Sequence, residues 1–127
     1  MLNVFSALHC LFLFCLIHKC VTAVSPASAN MSGINEDYVK EGETYHLVCE
    51  TSMKPKGKIL WVVNGQEMST NNDSKVDENE VWHVTGSHDL VVEKQDVELP
   101  LFCRVNYDDG RFWAEKHYKT VSVYCKL

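Results

Sequence analysis

Between Tyr45 and Val105 the chain repeats one pattern, short segments in which apolar and polar residues alternate. Tyr45, Leu47 and Cys49 alternate with His46, Val48 and Glu50. Ile59, Trp61 and Val63 do the same, and a third segment, LFCRV, surrounds Cys103. A period of two places one set of side chains on a buried face of a β-strand. A cysteine in each of two such strands, with a tryptophan in a strand between them, suggests two sheets stapled face to face.

The pattern predicts an edge strand over 34–40, then strands over 44–50 and 58–63, with Pro55 and Gly57 breaking the loop between. Asn64-Gly65 is the strongest hairpin signal, because both central positions of a type I′ turn need positive φ. A short strand over 66–68 follows. Residues 69–80, STNNDSKVDENE, have almost no apolar content and read as a long exposed connection. Strands are expected over 81–84, 88–93, 99–107 and 113–124, with a turn at 108–111. There is no internal repeat and no helical period beyond the N-terminus.

The N-terminus differs from the rest. Residues 1–17 are largely apolar, and Val21-Thr22-Ala23 satisfies a small-residue cleavage rule. This reads as a secretory signal peptide over 1–23, with a second cut available after Ala29. A membrane anchor is the alternative, but the run is shorter than the roughly 20 residues a span needs. Residues 24–33 are small and polar and read as a flexible lead-in, leaving 34–127 as the domain. No later apolar run or lipid-anchor signal is found. The expectation is therefore a secreted, extracellular chain without membrane insertion after signal removal.

Loss of the leader removes Lys19 and changes the formal net charge from −5 to −6. An acidic chain without a basic patch is a poor nucleic-acid binder. It also takes Cys10, Cys15 and Cys20, leaving Cys49, Cys103 and Cys125. Asn30-Met31-Ser32 and Asn72-Asp73-Ser74 are N-glycosylation sequons. The acids at 73, 77, 78 and 80 lack the spacing of a calcium loop.

The Cys49…Trp61…Cys103 spacing resembles the immunoglobulin superfamily, and the resemblance covers residues 34–124. It implies an all-β, two-sheet sandwich of C2/I type with about seven or eight strands. Strands B, C, F and G would be 44–50, 58–63, 99–107 and 113–124. It further implies a B–F disulfide between Cys49 and Cys103, with Trp61 packed on it and Cys125 left over. The tyrosine that such domains usually place two residues before the second cysteine is here Leu101. That departure, with the LFCRV ending, is similar to C2-type domains of adhesion and B7-like receptors. The short separation between the cysteines leaves little room for a C″ strand. A secreted single domain resembles the one-immunoglobulin-domain secreted proteins of invertebrates, which act in neuronal cell-surface recognition and synapse organisation.

Catalytic signatures are absent. His46, His83, His88 and His117 fit no metal or hydrolase motif, and no Gly-rich phosphate loop or nucleophile elbow occurs. Neither an enzymatic role nor a cofactor is expected. With Trp61 and Cys103 buried, parity turns Leu60, Val62, Phe102 and Arg104 outward on the C-F-G sheet. Strand G adds Tyr118 or Tyr124. Apolar and aromatic side chains around an arginine have the composition of a protein-binding surface. Trp113, after the F–G turn, is a candidate anchor. The expected function is extracellular recognition or adhesion through binding of a cell-surface receptor or matrix protein, in neuronal or synaptic organisation. The alternative is a secreted immune effector or decoy for a host or microbial ligand. A homodimer through the C-F-G face or Cys125 is left open.

Overall fold

The computed structural model describes residues 29–94 and 97–125. The expected leader lies outside the described residues. Nine strands are found among them: β1 (Asn30–Ser32), β2 (Tyr38–Lys40), β3 (Thr44–Met53), β4 (Gly57–Val63), β5 (Gln66–Glu67), β6 (Asn71–Val76), β7 (Trp82–Val91), β8 (Glu98–Tyr107) and β9 (Phe112–Tyr124). They form two sheets, β1-β3-β7-β6 and β2-β9-β8-β4-β5. Pairing is antiparallel except between β2 and β9. In immunoglobulin lettering β3, β4, β8 and β9 are B, C, F and G.

The core lies between the sheets and follows the expected alternation. Leu47 and Cys49 of β3, Ile59, Trp61 and Val63 of β4, and Leu101, Cys103 and Val105 of β8 are buried. The centre is a two-by-two arrangement. Cys49 stands opposite Gly86 in one sheet, and Trp61 stands opposite Cys103 in the other. The Cys49–Cys103 disulfide joins the layers through one member of each pair. The other two members meet through a hydrogen bond, in which the Trp61 indole Nε1–H donates to the Gly86 carbonyl at 3.1 Å. Apart from that bond the indole is fully buried among apolar side chains.

Gly86 belongs here because nothing larger fits. A Cβ built on it would lie 2.5 Å from Ile59 Cγ2. A break is expected between two strands, over 85–87. The structure instead runs one continuous strand, β7, from Trp82 to Val91, so the expected strands over 81–84 and 88–93 are one. The true fourth strand of that sheet is β6, inside the segment expected to be a loop. Its six residues hold no buried side chain. It forms by backbone pairing to β7, and its charged residues suit an exposed sheet edge.

Two polar side chains tie the start of β6 to the other sheet. Beyond β8, β4 has a second partner, β5, only at Val62 and Val63. Its remaining edge is capped from 70–72. Thr70 Oγ1 accepts the Trp61 N–H at 3.0 Å. Asn72 Oδ1 accepts the Ile59 N–H at 2.8 Å, and Asn72 Nδ2 donates to the Ile59 carbonyl at 2.9 Å. Asn72 thus does for Ile59 what a neighbouring strand would do.

The lead-in expected over 24–33 is also corrected in part. Asn30–Ser32 pairs with Val48–Glu50 as β1, because Met31 turns inward and packs on the core. Asn64-Gly65 forms the expected turn, with φ of 51° and 76°.

Adding a methyl group at Gly86 tests the central packing. Gly86→Ala should lower stability by about 1–3 kcal/mol through overpacking against Ile59. Urea unfolding under non-reducing conditions measures it, and an unchanged midpoint would contradict the close approach.

Candidate functional site

The expected recognition face is the outward side of β4, β8 and β9. Register places Leu60 opposite Arg104 and Val62 opposite Phe102, and carries Arg104 to Glu115 and Phe102 to His117 on β9. All of these side chains share that outward side. Arg104 organises it. Its Nε–H donates to Glu115 Oε2 at 2.9 Å and its Nη1–H to Glu67 Oε1 at 2.6 Å. Glu67 sits on β5 and Glu115 on β9, so the guanidinium ties the two flanks of the sheet across β4 and β8. Hydrogen bonding to Glu115, then its charge and the contact with Glu67, pushes the Arg104 pKa above its ordinary value.

The apolar part of the face is smaller than expected. Leu60 and Phe102 are half-buried, with the Phe102 ring 4.9 Å from the His117 ring. Val62 is only 5% exposed, flanked by Glu67 and Phe102 as strand neighbours. Phe112 stands opposite Asn106 on the same side and is 61% exposed, so it is the more accessible aromatic residue of the F–G end. Trp113 instead turns onto Tyr107, with ring centroids 5.0 Å apart.

Tyr118 does not join the outward face. β9 shifts register between the partners of Leu101 and Phe102, Lys119 and His117, which leaves Tyr118 without a partner on β8. Its ring packs edge-on to Trp61 at 5.9 Å. Its hydroxyl donates to the Ile34 carbonyl at 2.9 Å and accepts the Ile34 N–H at 3.2 Å. Strict alternation cannot foresee this, because one inserted residue reverses parity. Tyr124, the alternative, is 61% exposed and packs edge-on against Tyr38 at 5.0 Å. Cys125 beside it is exposed and unpaired. Of the two sequon asparagines, Asn30 lies exposed on β1 and Asn72 is engaged with Ile59.

The histidines behave differently from a scattered set. His83 and His88 lie on one strand. His83 Nε2–H donates to Asp77 Oδ2 at 3.0 Å, and Nδ1 accepts the Ser52 hydroxyl at 2.9 Å. The composition is that of a hydrolytic triad, yet serine and carboxylate sit on the ring nitrogens opposite to the protease order. The His83 side chain is 54% exposed. The chain of bonds braces the β6–β7 turn, where Asp77 Oδ1 also accepts the N–H groups of Asn79 and Val81. Among the described residues no group of three or more His, Cys, Asp or Glu could hold a metal ion. No helix among them is long and apolar enough to cross a membrane.

Sandwich, disulfide and buried indole together define an immunoglobulin domain. Residues 27–113 match the model of the CD80-like C2-set immunoglobulin domain, and the chain belongs to that family. Among solved structures it is similar to the full ectodomain (Ig1–Ig3) of mouse nectin-like molecule 4, at 18% identity and a TM-score of 0.63. That match covers 81% of this chain and 35% of the other. It is also similar to Rst D1-D2, at 15% identity and a TM-score of 0.61, covering 82% of this chain and 51% of the other. The chain thus spans about a third and about half of these two, and at such identities the likeness shows the fold alone. No curated protein sequence matches it.

Two measurements probe this arrangement. Tyr118→Phe should cost about 1 kcal/mol, since the Ile34 N–H loses its acceptor while Lys119 Nζ still donates to the Ile34 carbonyl. Hydrogen exchange at Ile34 should quicken in the same variant, and an unchanged rate would contradict the assigned bond. The second concerns acid. The hydrogen bond from His83, then those from Val81 and Asn79, hold Asp77 below its ordinary 3.8. A depressed carboxylate stabilises the fold above the unfolded value, and that contribution is lost as pH falls through the lower folded value. The Asp77 carboxyl should therefore titrate below 3.8 by carbon NMR, and a midpoint at or above 3.8 would contradict the bonding.

Proposed function

We propose that the chain is a secreted extracellular recognition module that binds a cell-surface or matrix protein through the outward face of β4, β8 and β9. The observation that carries this reading is the Arg104 bridge between Glu67 and Glu115, bordered by Leu60, Phe102 and the exposed Phe112. A guanidinium held by two carboxylates is positioned before a partner arrives, so little side-chain freedom is lost on binding. Leu60, Phe102 and Phe112 supply apolar contact around it, as in interface cores bordered by polar groups. Family membership supports a binding module over an enzyme. Cell-surface recognition in a neuronal or synaptic setting is the role we assign. A second copy of the chain is among the partners the face could take.

Leu60→Glu and Phe102→Glu test the face. Each variant is first checked for an intact disulfide and a native unfolding midpoint. Binding of the exported domain to an array of extracellular ectodomains, itself included, is then compared with the unaltered chain. Loss of a centrally placed contact should weaken the bound pair by about 2 kcal/mol or more, roughly thirtyfold. Folded variants that bind as well as the parent would overturn the assignment.

A further inference from the structure

The two sequons sit in different chemical situations. Asn30 and Ser32 lie on the exposed side of β1, which is the outermost strand of its sheet, while Met31 points inward. The Asn30 side chain makes no hydrogen bond among the described residues. Asn72 uses both ends of its carboxamide on one residue, Oδ1 on the Ile59 N–H at 2.8 Å and Nδ2 on the Ile59 carbonyl at 2.9 Å.

That two-point grip fixes which amide proton is in use. The N–H and C=O of Ile59 lie on the same edge of β4, so Asn72 must present its oxygen and a proton side by side. The proton is the one on the same side of the C–N bond as Oδ1. In N-glycan transfer Nδ2 loses a proton to a base of the transferase. It bonds the anomeric carbon of a diphosphate-linked oligosaccharide, and the lipid diphosphate leaves with the electron pair. The product is a secondary amide, which adopts the trans form. The sugar then stands on the same side as Oδ1, where the bonding proton was. The remaining proton points away from Ile59. A glycan on Asn72 and the closed grip on β4 are mutually exclusive.

We propose that the native domain carries its N-glycan on Asn30 and none on Asn72, because a glycan on Asn72 excludes its bond to β4. This rests on the reading of the chain as secreted. A chain modified at Asn72 during export cannot seal the Ile59 edge, and such molecules are lost from the folded pool rather than carried in it.

The test expresses the full chain, Asn30→Gln and Ser74→Ala in a eukaryotic secretory cell line. Ser74→Ala removes the second sequon and leaves Asn72 in place. The disulfide-closed, protease-resistant protein is treated with peptide N-glycosidase, and converted asparagines are mapped by peptide mass. Parent and Ser74→Ala should each lose one glycan mapped to Asn30, and Asn30→Gln should show no glycosidase-sensitive shift. Conversion at Asn72 in the native pool would overturn the proposal, and so would a parent protein with no glycan. If the chain's own N-terminus fails to direct export, a supplied leader carries it. Failure of export then counts against the secreted reading, and the glycan positions stay readable.

Discussion

Two bonds between the same two layers hold this domain in register. One is covalent, between Cys49 and Cys103, and the other is the hydrogen bond from the Trp61 indole to the Gly86 carbonyl. They belong to adjacent strand pairs, so each fixes the spacing at which the other can form. On a chain-entropy basis, closing a loop of 54 residues stabilises the fold by about 4 kcal/mol. The indole bond removes the one polar group of a large buried side chain from the list of unsatisfied donors. Gly86 also leaves room for the Ile59 side chain, which a Cβ there would meet at 2.5 Å.

The outward face follows from that clasp. Burial of Trp61 and Cys103 turns Leu60, Val62, Phe102 and Arg104 the other way, and the Arg104 bridge then joins the sheet's flanks. The edge of β4 is the other consequence. A two-residue β5 leaves most of that edge open, and Thr70, just before β6, and Asn72, on β6, close it. The same segment that caps one sheet thus completes the other as β6. The sheet whose outward side is the proposed recognition face therefore has a sealed flank.

Much of this was legible from alternation alone. β3 and β8 bury residues by parity, and β4 does so except at Val62, which is buried although parity turns it outward. β6 was not legible, because Asn71–Val76 buries nothing and is held by backbone pairing and two polar side chains outside any hydrophobic pattern. β7 was expected as two strands broken over 85–87, where Gly86 answers a packing demand from Ile59 rather than a turn. Spacing left Tyr118 and Tyr124 as alternatives for the outward face because a register shift in β9 cannot be seen from it, and the site of Tyr118 under Ile34 is a contact across 84 residues. The Ser52–His83–Asp77 line was hidden for a similar reason, since three distant strand and turn residues meet only once β3 and β7 pair.

The central claim is the clasp, and non-reducing peptide mapping of the native protein tests it most directly. The account predicts a cross-linked pair of peptides containing Cys49 and Cys103, with Cys125 open to alkylation before reduction. A bond from either Cys49 or Cys103 to Cys125, or free thiols at both Cys49 and Cys103, would contradict it.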